Sequence, residues 1–248
     1  MPTLGRSTAH TLVPRTDCVG MGCYPQVMCG RYNINDMPSL DELRIILPLL
    51  EEIFTPARRF NVAPGTSIPA VFLPDPEAPP QLDLLWWGYR PEWAGDNAPQ
   101  PINAKAETVA TSRYFKGAFS RHRCLVPANG WYEWITTDHG KQPHYITRTD
   151  NRQLWFAGIW ARRADDKLGC AIITEPARGP ARDVHDRMPL CLTDDSLSLW
   201  LDPDLSDRET IRRVVKHVEA DVLTHWPVSQ RIGNVKNDDA SLIEPVSP

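Results

Sequence analysis

The chain has 248 residues, enough for one sizeable domain or two small ones. Hydrophobic residues make up 42% and charged residues 23%, which excludes a wholly disordered or fibrous chain. The net charge of -4 gives no global attraction to a polyanion, so a nucleic-acid site has to be a local basic patch.

Residues 1–28 carry scattered Thr, Gly, Pro and Cys with no helical or strand period. They contain no continuous apolar core of the kind a secretory signal needs. They are expected to be an extension that is disordered, removed or not translated, with Met21 and Met28 as alternative starts. Residues 29–248 are expected to form a single domain. Ser39-Leu40-Asp41-Glu42 reads as a capping box that opens a helix running toward Leu50, with Pro48 disturbing its end. Asn61-Val62-Ala63-Pro64-Gly65 is a turn signal. Short runs rich in β-branched and aromatic residues follow at 70–73, 82–87, 131–135, 144–147, 154–160 and 169–174, and these predict strands. Ser206 to Glu209 forms a second capping box. Ile211, Val214, Val215 and Val218 follow it at helical spacing. Strands in the middle with helices toward both ends predict an α+β fold: one β-rich domain of mixed or antiparallel sheets with peripheral helices. No apolar run reaches the length of a membrane span, and no membrane partner is expected.

The six cysteines, Cys18, Cys23, Cys29, Cys124, Cys170 and Cys191, show no paired metal-ligand spacing. No metal and no cofactor are expected. Free thiols in an intracellular, reducing compartment are the default.

Polar clusters interrupt the apolar segments at Met28-Cys29-Gly30-Arg31-Tyr32, Asn103 to Thr108, Asn129 to Trp134 and His185-Asp186-Arg187-Met188-Pro189. Two more lie at His225 to Ser229 and Asn234 to Asn237. Each residue type has an ordinary structural role. A cysteine is usually a small buried hydrophobe, a lone histidine a hydrogen-bonding partner, and a run of cations a solvated face. The combination, in this order, resembles the SRAP family, the SOS response-associated peptidases or abasic-site processing proteins. Trp87-Gly88-Tyr89, Asn61 to Gly65 and Pro227-Val228-Ser229 with Asn234 complete the resemblance, which covers Met28 to about Val246.

The resemblance implies a protein that binds single-stranded DNA and its junctions with duplex at abasic sites. It implies a covalent thiazolidine between the aldehyde of the lesion and a mature chain that starts at Cys29. An α-amine has a pKa of roughly 7.7–8.0, so part of it is neutral near pH 7 and can form an imine that the neighbouring thiol closes. By the same resemblance His185 moves protons, and Glu133 orients or deprotonates the amine. Asn103 hydrogen-bonds near the reacting oxygen. Thr174 belongs to the DNA-contacting surface. Lys105, Arg187, Arg113 and Arg31 would hold phosphates. Trp86 and Trp87 would stack or wedge against bases, the ordinary alternative being core packing. Lys105 stands where many members carry Arg, so it keeps the charge and loses the bidentate fork. Met28 is favoured as the initiator, because an extension before Cys29 blocks the amine. The other readings are a thiol peptidase that removes its own N-terminal segment and a non-catalytic single-stranded DNA binder. A monomer is expected, cytoplasmic and nucleoid-associated in a bacterium.

Overall fold

The structure is a computed structural model that describes residues 29–46, 57–95 and 97–247. The first half contributes β1 (Tyr32–Ile34), α1 (Leu40–Ile46), β2 (Arg59–Val62), β3 (Ser67–Phe72), β4 (Gln81–Trp87), β5 (Asn103–Lys105), α2 (Lys116–Arg121) and β6 (Arg123–Ala128). The second half adds β7 (Gly130–Thr137), β8 (Gly140–Arg148), β9 (Leu154–Arg162), β10 (Leu168–Pro176) and α3 (Pro180–Val184). It ends with β11 (Arg187–Pro189), α4 (Leu197–Leu201), α5 (Arg208–Val214) and β12 (Leu223–Pro227). The expected extension and residues 47–50 of the expected first helix lie outside the described residues.

The strands form two sheets. The first runs β12-β8-β7-β1-β2 and is antiparallel throughout. The second runs β10-β4-β3-β6-β9 and returns to β10, because β9 and β10 pair directly. Beyond that ring β10 continues, with β5 parallel on one edge and β11 antiparallel on the other. The α+β expectation, with mixed and antiparallel sheets and short helices around them, describes this architecture.

Strand alternation explains the core. In β9, Leu154, Phe156 and Trp160 enter one buried cluster, while Trp155, Ala157, Ile159 and Ala161 enter a second. Strand β10 divides in the same way, Cys170 and Ile172 against Ala171 and Ile173. Both strands are therefore apolar on two faces, and their sequences read as continuous hydrophobic runs. Gly158 is required where β9 crosses β6: a Cβ there would stand 2.7 Å from Cys124 Sγ. A third cluster, with Tyr132, Tyr145, Val228, Ile232 and Leu242, packs the C-terminal segment on the outer face of the first sheet.

The six predicted strand runs all fall in strands, with Leu73 one residue beyond the end of β3. The Ser39 box forms as expected: Glu42 Oε2 accepts from Ser39 N at 2.7 Å, and Ser39 Oγ accepts from Glu42 N at 3.2 Å. The second box does not form. Asp207, one residue after Ser206, caps α5 by accepting from Thr210 N at 2.8 Å. That helix stops at Val214, and Val215 and Val218 are buried beyond its end. The sequence from Asn61 is half strand and half turn, with Asn61 and Val62 closing β2.

Candidate active site

Cys29 lies three residues before Tyr32, the first residue of β1. Tyr32 faces Trp131 and Asn33 faces Gly130 across the β1–β7 ladder, and Tyr132 N donates to Arg31 O at 2.9 Å. Followed backward, this pairing carries Gly30 opposite Glu133, with Cys29 next to it. Trp131 and Glu133 share the inner face of β7 by alternation, and Tyr132 points the other way into the third cluster. A carboxylate is thereby turned inward at the end of an apolar stripe.

There the backbone nitrogen of Cys29 donates to Glu133 Oε1 at 2.6 Å. The same carboxyl also acts on the Cys29 thiol, raising its pKa. Cys29 has φ 49°, in the left-handed region that a side chain with Cβ rarely adopts. Such a conformation costs about 1–3 kcal/mol and needs its surroundings to hold it. Burial raises the Glu133 pKa above the ordinary carboxylate range, against the hydrogen bonds from Cys29 and the nearby His185, which lower it. Burial also pushes the Cys29 thiol well up. Glu133 adds to that rise and Arg187 opposes it weakly.

His185 follows α3 in extended backbone, with its amide donating to Ala181 O. Its Nδ1 accepts from Arg187 N at 3.0 Å and lies 2.9 Å from Asp186 Oδ1. With Nδ1 accepting, the ring hydrogen sits on Nε2. Nδ1 thus faces one donor, the Arg187 amide, and one carboxylate, Asp186.

Arg187 opens β11 and is buried. Its guanidinium donates to both Glu107 oxygens and to Thr174 O and Oγ1, the last two at 2.6 and 3.2 Å. Arg187 in turn holds the Glu107 carboxyl below the usual range. Strand β5 lies parallel to β10 so that Asn103 faces Ile172 and Lys105 faces Thr174. Neighbouring strands thus set Asn103, Thr174 and Arg187 beside one another, while Cys29 hydrogen-bonds to Glu133, whose pKa the nearby His185 lowers.

The other expected contacts are divided by burial. Lys105 and Arg113 are exposed. Arg31 donates to Asn61 Oδ1 at 2.8 Å and to Ile232 O at 3.1 Å, which makes it a tie between β2 and the C-terminal segment rather than an open phosphate ligand. Trp87 is 1% exposed and donates from Nε1 to Ile102 O, so it packs the core and does not stack on bases. Thr174 is fully buried and accepts a hydrogen bond from Arg187, so it does not face DNA directly. Trp86 is half-buried beneath the Arg163 guanidinium.

Two residues escaped the sequence reading. Glu107 was inside a quoted motif, but its pairing with Arg187, 80 positions away, has no local signal. Trp93 is 68% exposed in the loop between β4 and β5, edge-on to Tyr114. A lone Trp in a polar loop was the available clue. No cluster of three or more His, Cys, Asp or Glu placed to hold a metal occurs among the described residues.

The sequence profile of the family SOS response associated peptidase (SRAP) matches residues 28–235. The chain belongs to the SRAP family. Among its SRAP relatives, the abasic site processing protein YedK of Escherichia coli is 35% identical over 88% of this chain and 100% of its own. The abasic site processing protein YoqW of Bacillus subtilis is 30% identical over 88% of this chain and 99% of its own. A crystal structure of a phage-related protein from Bordetella bronchiseptica superposes with a TM-score of 0.66 at 34% identity, covering 82% of this chain and 95% of that one.

Proposed function

We propose that this SRAP protein acts on abasic sites in DNA, and that Cys29, as the first residue of the mature chain, becomes covalently joined to the lesion. The observation that carries the reading is the 2.6 Å contact of Cys29 N with Glu133 Oε1. A free amine at that nitrogen is held by the group best placed to take its proton. The relatives YedK and YoqW, both abasic site processing proteins, support the same substrate.

The chemistry balances without a cofactor. The Cys29 amine adds to the aldehyde carbon, and loss of one water leaves an imine. The thiol then adds across the C=N bond, its proton passing to the nitrogen, and a five-membered thiazolidine results. Burial and Glu133 keep the thiol protonated, so the amine attacks first and Glu133 accepts the thiol proton as the ring closes. A thiol peptidase needs the opposite, a lowered thiol pKa that supplies thiolate at neutral pH. The reading therefore favours ring formation over peptide hydrolysis. His185 is assigned the proton that the departing water requires. Asn103 is assigned the reacting oxygen.

Exposed Lys105 and Arg113 are assigned to phosphates, and exposed Trp93 offers a stacking surface suited to an unpaired base in single-stranded DNA or at a junction. Arg187, tied to Glu107 and Thr174, frames the site. The test is intact mass after expression from the native upstream region, with and without an abasic-site oligonucleotide. The expected product starts at Cys29 and gains the oligonucleotide less one water. Cys29→Ala forms no adduct and keeps most non-covalent affinity. A chain made to start at Cys29 that still forms no adduct would overturn the proposal.

A further inference from the structure

His144 on β8 and His225 on β12 stand with their Nδ1 atoms 3.0 Å apart, rings tilted at 56°. At that distance one nitrogen must carry a hydrogen and the other a lone pair. The pair can take one further proton and share it, but a second meets a like charge across the same contact. Burial lowers the His144 pKa, and His225 lowers it further.

The pair is not remote from the site. His144 is the direct cross-strand partner of Glu133 in the β7–β8 ladder. Directly opposed residues put their side chains on one face, with Cα atoms about 4.5–5.5 Å apart. His225 faces Ile146, two residues along β8, and so projects from the same face. This is the inner face, where Trp131, Ile146 and Leu223 join the main core cluster.

The surroundings define the charges. Strand β7 contributes Glu133. Helix α3, which leads into His185, packs on β7 and β12 and adds Ala181 and Val184 to the same cluster. Its Arg182 and Asp183, and Asp186 after it, are exposed. The turn at Gln230–Gly233, packed on β8, carries Arg231, which is paired with Asp239. Among these groups Glu133 is the buried carboxyl that shares the histidines' face.

We propose that His144 and His225 are positioning residues that share a proton and set the charge state of Glu133. The inference rests on the role proposed for Glu133 at Cys29. With a proton in the pair, the cation favours carboxylate at Glu133, the form that accepts a proton from Cys29. With the pair neutral, burial raises the Glu133 pKa against only the Cys29 hydrogen bonds and His185, which lower it. The three groups titrate as a unit.

The experiment is a pair of NMR titrations on the full chain, following the imidazole carbons of both histidines and the carboxyl carbon of Glu133. The expected result is two histidine steps, the second proton entering only well below the ordinary midpoint of roughly 6.5. His144→Phe and, separately, His225→Phe leave the remaining histidine with one step, and the double variant, which removes the pair's cation altogether, raises the Glu133 midpoint. The acid limb of the rate of adduct formation then moves by the same amount. Independent single steps in the unsubstituted protein would overturn the proposal, and that measurement needs no variant to fold. An unmoved Glu133 midpoint, or an unmoved rate profile beside a moved midpoint, would overturn it as well. If no adduct forms at all, the function reading fails while both titrations remain readable, so the two claims fail separately.

Discussion

Burying Glu133 places an ionisable group where its charge is poorly solvated, and the consequence for stability has a definite sign. Its pKa in the folded protein is raised, with burial as the main cause. Folding is therefore favoured while the group is protonated, below its unfolded value of about 4.3. That contribution is lost as pH rises through the folded pKa. Glu133→Gln keeps an oxygen that accepts from Cys29 N and removes the titration. The variant is expected to melt at higher temperature than the parent above neutral pH, and the difference should vanish on acidification toward pH ~4. Calorimetry across pH decides it; a stability difference independent of pH would mean that folding leaves the Glu133 pKa unshifted. At this scale the sequence pointed to Cys29, Glu133 and His185 only through family resemblance. Spacing could not, because Cys29 and Glu133 are 104 positions apart.

Among the elements, long strands were legible and short ones were not. Strands β9 and β10 each run nine residues and are apolar on both faces, which leaves a clear signal. Strands β1, β5 and β11 have three residues each, too few for an alternation to emerge. Strands β6 and β12 include Pro127 and Pro227, residues that argue against a strand when read alone. The second helix start was placed one residue early because Ser206 and Asp207 are both competent caps, and only the geometry chooses between them. Close approach of β6 and β9 gives a prediction at this level. Gly158→Ala drives a methyl against Cys124 Sγ and is expected to cost about 1–3 kcal/mol in chemical denaturation. Adding Cys124→Ala should recover much of that loss, since the two changes share one contact. Simple additivity would show that the crowding is relieved elsewhere.

For the molecule as a whole, a net charge of -4 leaves DNA affinity to local features. Arg31 and Arg187 are held internally, so the exposed Lys105 and Arg113 are expected to carry the salt dependence. Binding to single-stranded DNA with a reduced, non-reactive abasic site should weaken linearly in log salt. Lys105→Ala and Arg113→Ala should each flatten the slope by roughly 0.7. Slopes unchanged in both variants would move the phosphate track to another surface. This division was not legible before folding, because cations that brace the fold and cations that face solvent look alike in the unfolded chain.

Cys29, Cys124, Cys170 and Cys191 are all free and all buried, the first at the site and the others in the core. Among the described residues these four thiols are native reporters of the protein's breathing. A bulky alkylating reagent reaches each thiol only when the surrounding structure opens. Cys124 and Cys170 belong to strands of the closed ring, so their labelling should track global unfolding. Cys29 sits before a three-residue strand at the start of the proposed mature chain, and its labelling should run ahead of theirs. Labelling rates by mass spectrometry would give the opening energy that a lesion must supply, or that the protein supplies for it, before any bond to DNA can form.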